Sequence, residues 1–318
     1  MSFDVFLGLE TFLGTALGGG ALFFGIWFLF FKARVQHRKL SAGLGKSGLD
    51  PGDGPEAVAV GVTRSSQDEL VRHWFADAKG YARLYEGSTP VALLFNERLR
   101  CVVDLVAPAR DGRVLEVGCG PGLLLTRLGD GQFQLFGLDC SPEMITEAKA
   151  RTAGLRVNLV VGRVEQLPFR VASFDVILAL GVLEYLPDLR VSLMEIARLA
   201  KPNAFIIVSM LNRLSLYRLW ERFIYTSWGV LGHWLRGRRM ALEPALWLCG
   251  QKSMMRMMQA CQLEPVDVVY YGLNICVRPF DRKYPKHGSA LNRWLEAHCG
   301  RRFLRALDIG FILTARKK

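Results

Sequence analysis

Glu116, the glycines at 118, 120 and 122, and Asp139 are the residues of this 318-residue chain whose types and spacing can do chemistry. The glycines alternate with Cys119 and Pro121. Backbone there can turn tightly and approach a ligand without a Cβ in the way. An acidic residue, Glu116, stands two positions before the first glycine. Seventeen residues beyond the last glycine, the carboxylate of Asp139 can accept both hydroxyls of a ribose.

These residues need a frame. Residues 114–117 read as a buried β-strand that breaks into the glycine turn, and 123–128 as a helix stopped by Gly129. Free N–H groups at a helix start carry partial positive charge. Strand, turn and helix make one half of a nucleotide-binding α/β unit. The dinucleotide form G-x-G-x-x-G is excluded, because the sixth position is Leu123 and the third glycine comes one residue early. Residues 133–138 read as the second strand, with Asp139 at its tip. A helix follows, with Ser141 as N-cap, Pro142 at N1 and Glu143 in the first turn. Further on, the spacing predicts a helix over 189–200, a strand over 204–210, a helix over 252–261 and two closing strands over 266–271 and 309–315.

The run E-x-G-x-G-x-G resembles motif I of the class I S-adenosylmethionine-dependent methyltransferases. Residues 162–169 and 173–180 look like the "G-D-x-x-x-L-P-F…S-F-D-V-V" signature of the small-molecule branch, the ubiquinone and menaquinone methyltransferase type. The resemblance covers roughly residues 69–210. It implies that Glu116 fixes the methionine end of the cofactor over Gly118, Cys119, Gly120 and Gly122. It implies that Asp139 holds the ribose, that Met144, Val164 and Glu165 lie along the adenosine, and that Cys140 and Leu180 also bind the cofactor. Residues 74–85 resemble a helix that covers the cofactor cleft, with Tyr81 as the contact carried over. In one departure, the family's Asp, which accepts the adenine amino group, is replaced by Arg163, which has donors only. Glu165 is one substitute and backbone near Val164 another.

Methyl transfer needs in-line alignment and, for a hydroxyl nucleophile, removal of a proton. His233 is the preferred base candidate. Tyr185 and Glu184, at the active-site rim of this fold, are the alternatives. The seven scattered cysteines contain no C-x-x-C and argue against a disulfide framework or a metal site. The expected fold is therefore α/β. It has a seven-stranded Rossmann-like methyltransferase sheet, six strands parallel and one antiparallel, with helices on both faces.

A membrane anchor is also expected. Residues 11–31 hold no charged side chain and are long enough to cross a bilayer core. Lys32, Arg34, Arg38 and Lys39 follow at once, which orients the catalytic domain to the cytoplasm. The organisation read from the chain is a short non-cytoplasmic tail over 1–10, a transmembrane helix over 11–31 and a basic flank and flexible linker over 32–68. A methyltransferase domain over 69–318 follows, with insertions at about 211–250 and 274–308. Gly14, Gly18 and Gly25 share a helix face that could support a homodimer. Leu44 to Ser47 mimics a phosphate loop but lacks its first glycine and a preceding strand.

The net charge of +12 arises entirely after residue 203, where 19 Lys/Arg face 7 Asp/Glu. Between 211 and 250, arginines interleave with Tyr217, Trp220, Trp228 and Trp234, the pattern of a segment lying on anionic headgroups. The reading is S-adenosylmethionine-dependent methylation of a lipophilic small molecule at the cytoplasmic membrane face. A nucleic-acid methyltransferase is disfavoured, because no N-P-P-Y-type motif is present. A non-catalytic cofactor-binding membrane scaffold stays open because of Arg163.

Overall fold

The computed structural model describes residues 56–57, 77–87, 89–107, 111–129, 132–213, 215–220, 247–273, 294 and 308–318. Residues 1–53 and 54–318 are separate units, and all described residues belong to the second. The expected span over 11–31, its basic flank, the glycine face at 14, 18 and 25, His233 and most of the two insertions lie outside the described residues. Among the described residues, no helix is long and apolar enough to cross a membrane.

The elements follow in order. A two-residue strand β1 (Glu56–Ala57) pairs antiparallel with β7 (Trp247–Leu248). Helices α1 (Ala78–Arg83) and α2 (Pro90–Val106) precede the main sheet. Then come β2 (Asp111–Val117), α3 (Leu123–Leu128), β3 (Gln132–Asp139), α4 (Pro142–Arg151), β4 (Val157–Val161) and β5 (Phe174–Ala179). A 3-10 turn (Leu183–Tyr185), α5 (Leu189–Leu199), β6 (Ala200–Leu211) and α6 (Leu216–Trp220) follow. After β7 come α7 (Gln251–Ala260), β8 (Leu263–Leu273) and β9 (Asp308–Lys317).

The main sheet has seven strands in the order β4-β3-β2-β5-β6-β9-β8. Pairs from β4 through β6 are parallel, and β9 is antiparallel to both β6 and β8. This is the expected six-plus-one arrangement. Winding runs outward from β2 to β4, then restarts on the other side at β5. A crevice therefore opens at the carboxyl ends of β2, β3 and β5, where ligands bind in open α/β sheets.

Two apolar layers enclose the sheet. One packs Leu193 and Ile196 of α5 and Met254 and Met258 of α7 against Leu115, Ile177 and Ile206. The other packs Leu99 and Val102 of α2, Leu124 and Leu125 of α3 and Ile145 of α4 against Val114, Val176 and Ile207. Each fully buried side chain of this size contributes roughly 1.5–3 kcal/mol over its exposed state. The methionines of α7 are core filler, as their softness suits.

Helix α2 is absent from the sequence reading, yet its cap is well formed. The Thr89 hydroxyl accepts the Ala92 N–H at 3.1 Å, and Pro90 stands at the first helical position. The predicted helix over 74–85 is shorter in its described part, because Asp77 caps it by accepting the Gly80 N–H at 2.8 Å.

Candidate active site

The crevice holds a cavity whose wall combines the glycine turn with the tips of three strands. Its lining includes Tyr81, Arg98, Glu116, Gly118, Cys119, Gly120, Asp139, Cys140, Met144, Arg163, Val164, Glu165, Leu180 and Tyr185. Most of the residues expected at the site are thus brought together. Gly122 and Glu184 are not on the cavity wall.

The glycines do different jobs. Gly118 has φ +71, and a Cβ there would lie 2.7 Å from the Val182 side chain. At Gly120, φ is +50 and an added Cβ would meet only the Tyr81 ring, at 3.9 Å. Space for a ligand therefore opens over Gly120, beneath Tyr81. Gly122 caps α3 and faces Ala148 of α4, so it closes helix against helix and leaves the ligand to its neighbours. Gly118→Ala should cost about 2–4 kcal/mol of stability through strain and overpacking, read as a lowered melting temperature. Equal melting of variant and parent would contradict that packing.

Asp139 ties the turn to the strand tip. Its Oδ2 accepts the Gly120 N–H and its Oδ1 the Ser141 N–H, both at 2.9 Å. Burial raises the pKa of this carboxyl, against the lowering effect of the Ser141, Gly120 and Cys140 N–H groups. Ser141 caps α4 as expected, accepting the Met144 N–H at 3.1 Å. Met144 is thereby held, buried, at the cavity wall.

Glu116 is 5% exposed, and its Oε2 has no hydrogen-bond partner among the described residues. Burial pushes its pKa up to about 8, Arg98 works downward, and Asp139 upward. A buried, unsatisfied carboxylate oxygen on a cavity wall is costly unless a ligand meets it. Cys119 is also buried, and burial raises its thiol pKa well above the ordinary range, so it stays a thiol and packs.

Arg98, from the unforeseen helix α2, is the residue that sequence reasoning missed. It is 6% exposed and donates from Nη2 to the Tyr85 hydroxyl at 3.2 Å. Tyr271, on β8, hydrogen-bonds both Arg98 and Ser209. A Cβ on Gly181 would sit 2.5 Å from Arg98 Nη1, so that glycine is the space the guanidinium occupies. Burial opposes its charge, but Tyr85, Tyr271, Tyr81 and Glu184 outweigh burial and hold it protonated. The one local signal was the Thr89-Pro90 helix start; its partners lie far along the chain.

Glu184 faces inward from the 3-10 turn, 4% exposed, in the fields of Arg98 and Arg218. Burial raises its pKa. Tyr185 does line the cavity, and burial followed by the Glu184 charge pushes its phenol up to about 12. At neutral pH it is therefore a hydrogen-bond donor. Among the described residues, no cluster of His, Cys, Asp and Glu could hold a metal ion.

Residues 115–208 match the family model described as "Methyltransferase domain". That stretch is similar to methyltransferase domains. Its relatives include the ubiquinone biosynthesis O-methyltransferase of Azorhizobium caulinodans, 36% identical over 108 residues, which are 33% of this chain and 43% of that protein. The enzyme of the same name from Xanthomonas axonopodis pv. citri is 33% identical over 147 residues, 45% of this chain and 58% of that protein. The chain spans about half the length of the curated relatives it matches. The fold of the methyltransferase domain is shared with a magnesium protoporphyrin IX methyltransferase from Synechocystis PCC 6803 solved with bound SAH. That structure has a TM-score of 0.55 and 14% identity, covering 79% of this chain and all of that one. A possible histamine N-methyltransferase from Thermotoga maritima gives 0.53 at 17% identity, with the same coverages.

The methyltransferase domain fits S-adenosylmethionine on its own geometry. The unmet Oε2 of Glu116 suits an ammonium, the open space over Gly120 suits the amino-acid backbone, and Asp139 at a strand tip suits a ribose.

Proposed function

We propose that this protein transfers a methyl group from S-adenosylmethionine to a lipophilic small molecule at the cytoplasmic face of a membrane. The observation that carries the reading is one continuous cavity. It has cofactor-type groups at Glu116 and Asp139 and an aromatic border of Tyr81, Tyr85 and Tyr185. Two relatives carry names for an O-methylation in ubiquinone biosynthesis, which supports a small aromatic or quinone-like acceptor. The uncharged run 11–31 with its basic flank supports a single-pass anchor, and the arginine and tryptophan pattern over 211–250 supports contact with anionic lipid. The glycine face at 14, 18 and 25 is compatible with a homodimer.

When bound, S-adenosylmethionine supplies a methyl on a sulfonium, which leaves as a neutral thioether. The chain's own residues then have to align and desolvate. Tyr81 and Tyr85 meet edge to face, with ring centroids 6.0 Å apart, and border the space over Gly120. Tyr185 holds its proton and can donate to an acceptor oxygen, fixing its lone pair toward the cofactor. Glu184, away from the cavity wall, steadies Arg98. A proton leaving a hydroxyl acceptor goes to water or to His233.

The test is to incubate detergent-solubilised full-length protein with methyl-labelled S-adenosylmethionine, a lipid extract and total nucleic acid. Label is expected in an organic-extractable small molecule, with higher turnover when the acceptor is presented in vesicles. Label recovered in nucleic acid, or cofactor binding without any labelled product, would overturn the reading. The protein should also stay with membranes through alkaline carbonate, and its release would contradict the anchor.

A further inference from the structure

We infer that Arg151, in the last turn of α4, is a positioning residue for the glycine turn. Its guanidinium holds the Pro121 carbonyl from behind, with Glu147 aiming it, and so fixes the surface on which the methionine end of the cofactor rests. The inference rests on the cofactor reading above and extends it to a pair of residues that are not on the cavity wall.

The turn's own N–H groups are engaged within the protein. Those of Gly118 and Cys119 both donate to the Leu138 carbonyl, at 2.7 and 2.9 Å. The Gly120 N–H goes to Asp139 Oδ2, and the Gly122 N–H to the Cys119 carbonyl at 3.0 Å. Pro121 has none to give. Residues 118–120 are therefore pinned to β3, and beyond Gly120 the fixing contacts come from α4. Arg151 Nε donates to the Pro121 carbonyl at 3.1 Å. Ala148 and the C-cap residue Thr152, on the same helix face, close on Gly122. A Cβ there would lie 3.2 Å from Ala148 Cα and 3.5 Å from Thr152 Cγ2. One helical turn back, Glu147 Oε1 accepts from Arg151 Nη2 at 2.9 Å.

The pair acts locally. Its side chains are 29% and 18% exposed, so it adds little to global stability. Pro121 lines the cavity beside Gly120, at the end of the turn that Asp139 does not hold. Without the guanidinium, the Pro121 carbonyl turns toward water and carries the open space over Gly120 with it. A ligand must then order the turn as it binds, and a turn fixed beforehand avoids that loss. The ribose side keeps its geometry either way, because Asp139 is tied to the Ser141 N–H independently of Arg151.

Calorimetry on the detergent-solubilised full-length protein with two probes, S-adenosylhomocysteine and 5′-methylthioadenosine, tests this. The second keeps the nucleoside and the thioether and lacks the amino-acid end. Arg151→Met keeps the apolar stem and removes the donors. It should weaken S-adenosylhomocysteine about 3- to 10-fold, the scale of one hydrogen bond, and leave 5′-methylthioadenosine within about twofold. Glu147→Gln should weaken S-adenosylhomocysteine about 2- to 3-fold alone, and add nothing in the Arg151→Met background, since it acts through the guanidinium. Melting temperatures should stay within a few degrees of the parent. A packing role alone would move the melting temperature, or both probes together, and leave their ratio unchanged. Parental affinity for S-adenosylhomocysteine in Arg151→Met, equal loss for both probes, or additive loss in the double variant would each overturn the inference and leave the cofactor reading standing. If neither probe binds the parent, the cofactor reading itself fails and the inference with it.

Discussion

Asp139→Ala should lose at least about 100-fold in affinity for S-adenosylhomocysteine, the largest binding defect expected from any single change at this site. The carboxylate has two tasks. It offers a charged acceptor to ribose hydroxyls, and it clamps the glycine turn through the Gly120 and Ser141 N–H groups at 2.9 Å each. Hydrogen bonds to charged groups are worth about 1.5–3 kcal/mol apiece, so losing the ligand contacts alone accounts for the factor. Loosening of the loop adds to it. Asp139→Asn keeps the shape and one acceptor oxygen, and should fall between, at about tenfold. Titration calorimetry reads both. An Asp139→Ala protein that binds like the parent would remove the ribose role from this residue.

The second large effect concerns pH. Glu116 has a pKa raised to about 8 by burial, so it carries a proton at neutral pH. An ammonium needs the ionised form, and binding below about pH 8 must therefore expel that proton. The apparent affinity should fall toward tenfold per pH unit as the pH drops below 8. Calorimetry at pH 6.5 in buffers of different ionisation enthalpy should show close to one proton released. Glu116→Gln should bind more weakly and release none from this position. The sign for stability runs the other way. The folded, ligand-free protein binds this proton more tightly than the unfolded chain, whose carboxyl has its ordinary value near 4.5. The associated stability is present below 4.5 and is lost as pH rises through about 8. Added cofactor analogue should offset that loss most strongly at the alkaline end. Binding without proton release at pH 6.5 would show that the ammonium sits elsewhere.

Much of the site could be read from the chain because it is local. Glu116, Cys119, Gly120, Asp139 and Met144 sit on one strand–turn–helix run and the next, where neighbours in sequence are neighbours in space. The Ser141 cap and the six-plus-one sheet were legible for the same reason. Arg98 was not. Its meaning comes from Tyr271 and Glu184, residues on β8 and on the turn after β5, and nothing near position 98 announces them. Gly122 and Glu184 show the converse limit. The motif puts Gly122 in the ligand turn, and the resemblance puts Glu184 on the rim. The left-handed start of α3 turned the first against α4, and the 3-10 turn buried the second. Identical residue types in one motif can serve packing or binding, and backbone dihedrals decide between them.

The place of β9 bears on how the molecule comes into being. Residues 308–317 fit between β6 and β8, with hydrogen-bonded register to each. Until they are made, β6 has an open edge and β8 has no partner in the sheet. Tyr271 of β8, which braces Arg98 in the cavity, then lacks a fixed position. A ribosome that has completed the whole glycine turn and every strand up to β6 has therefore not yet made a working site. Such a chain exposes an unpaired strand edge, a surface that invites association with other chains. Competence to bind the cofactor should arrive late and abruptly in synthesis, when the strand that lies seventh by position along the main sheet's chain order slots in sixth across it.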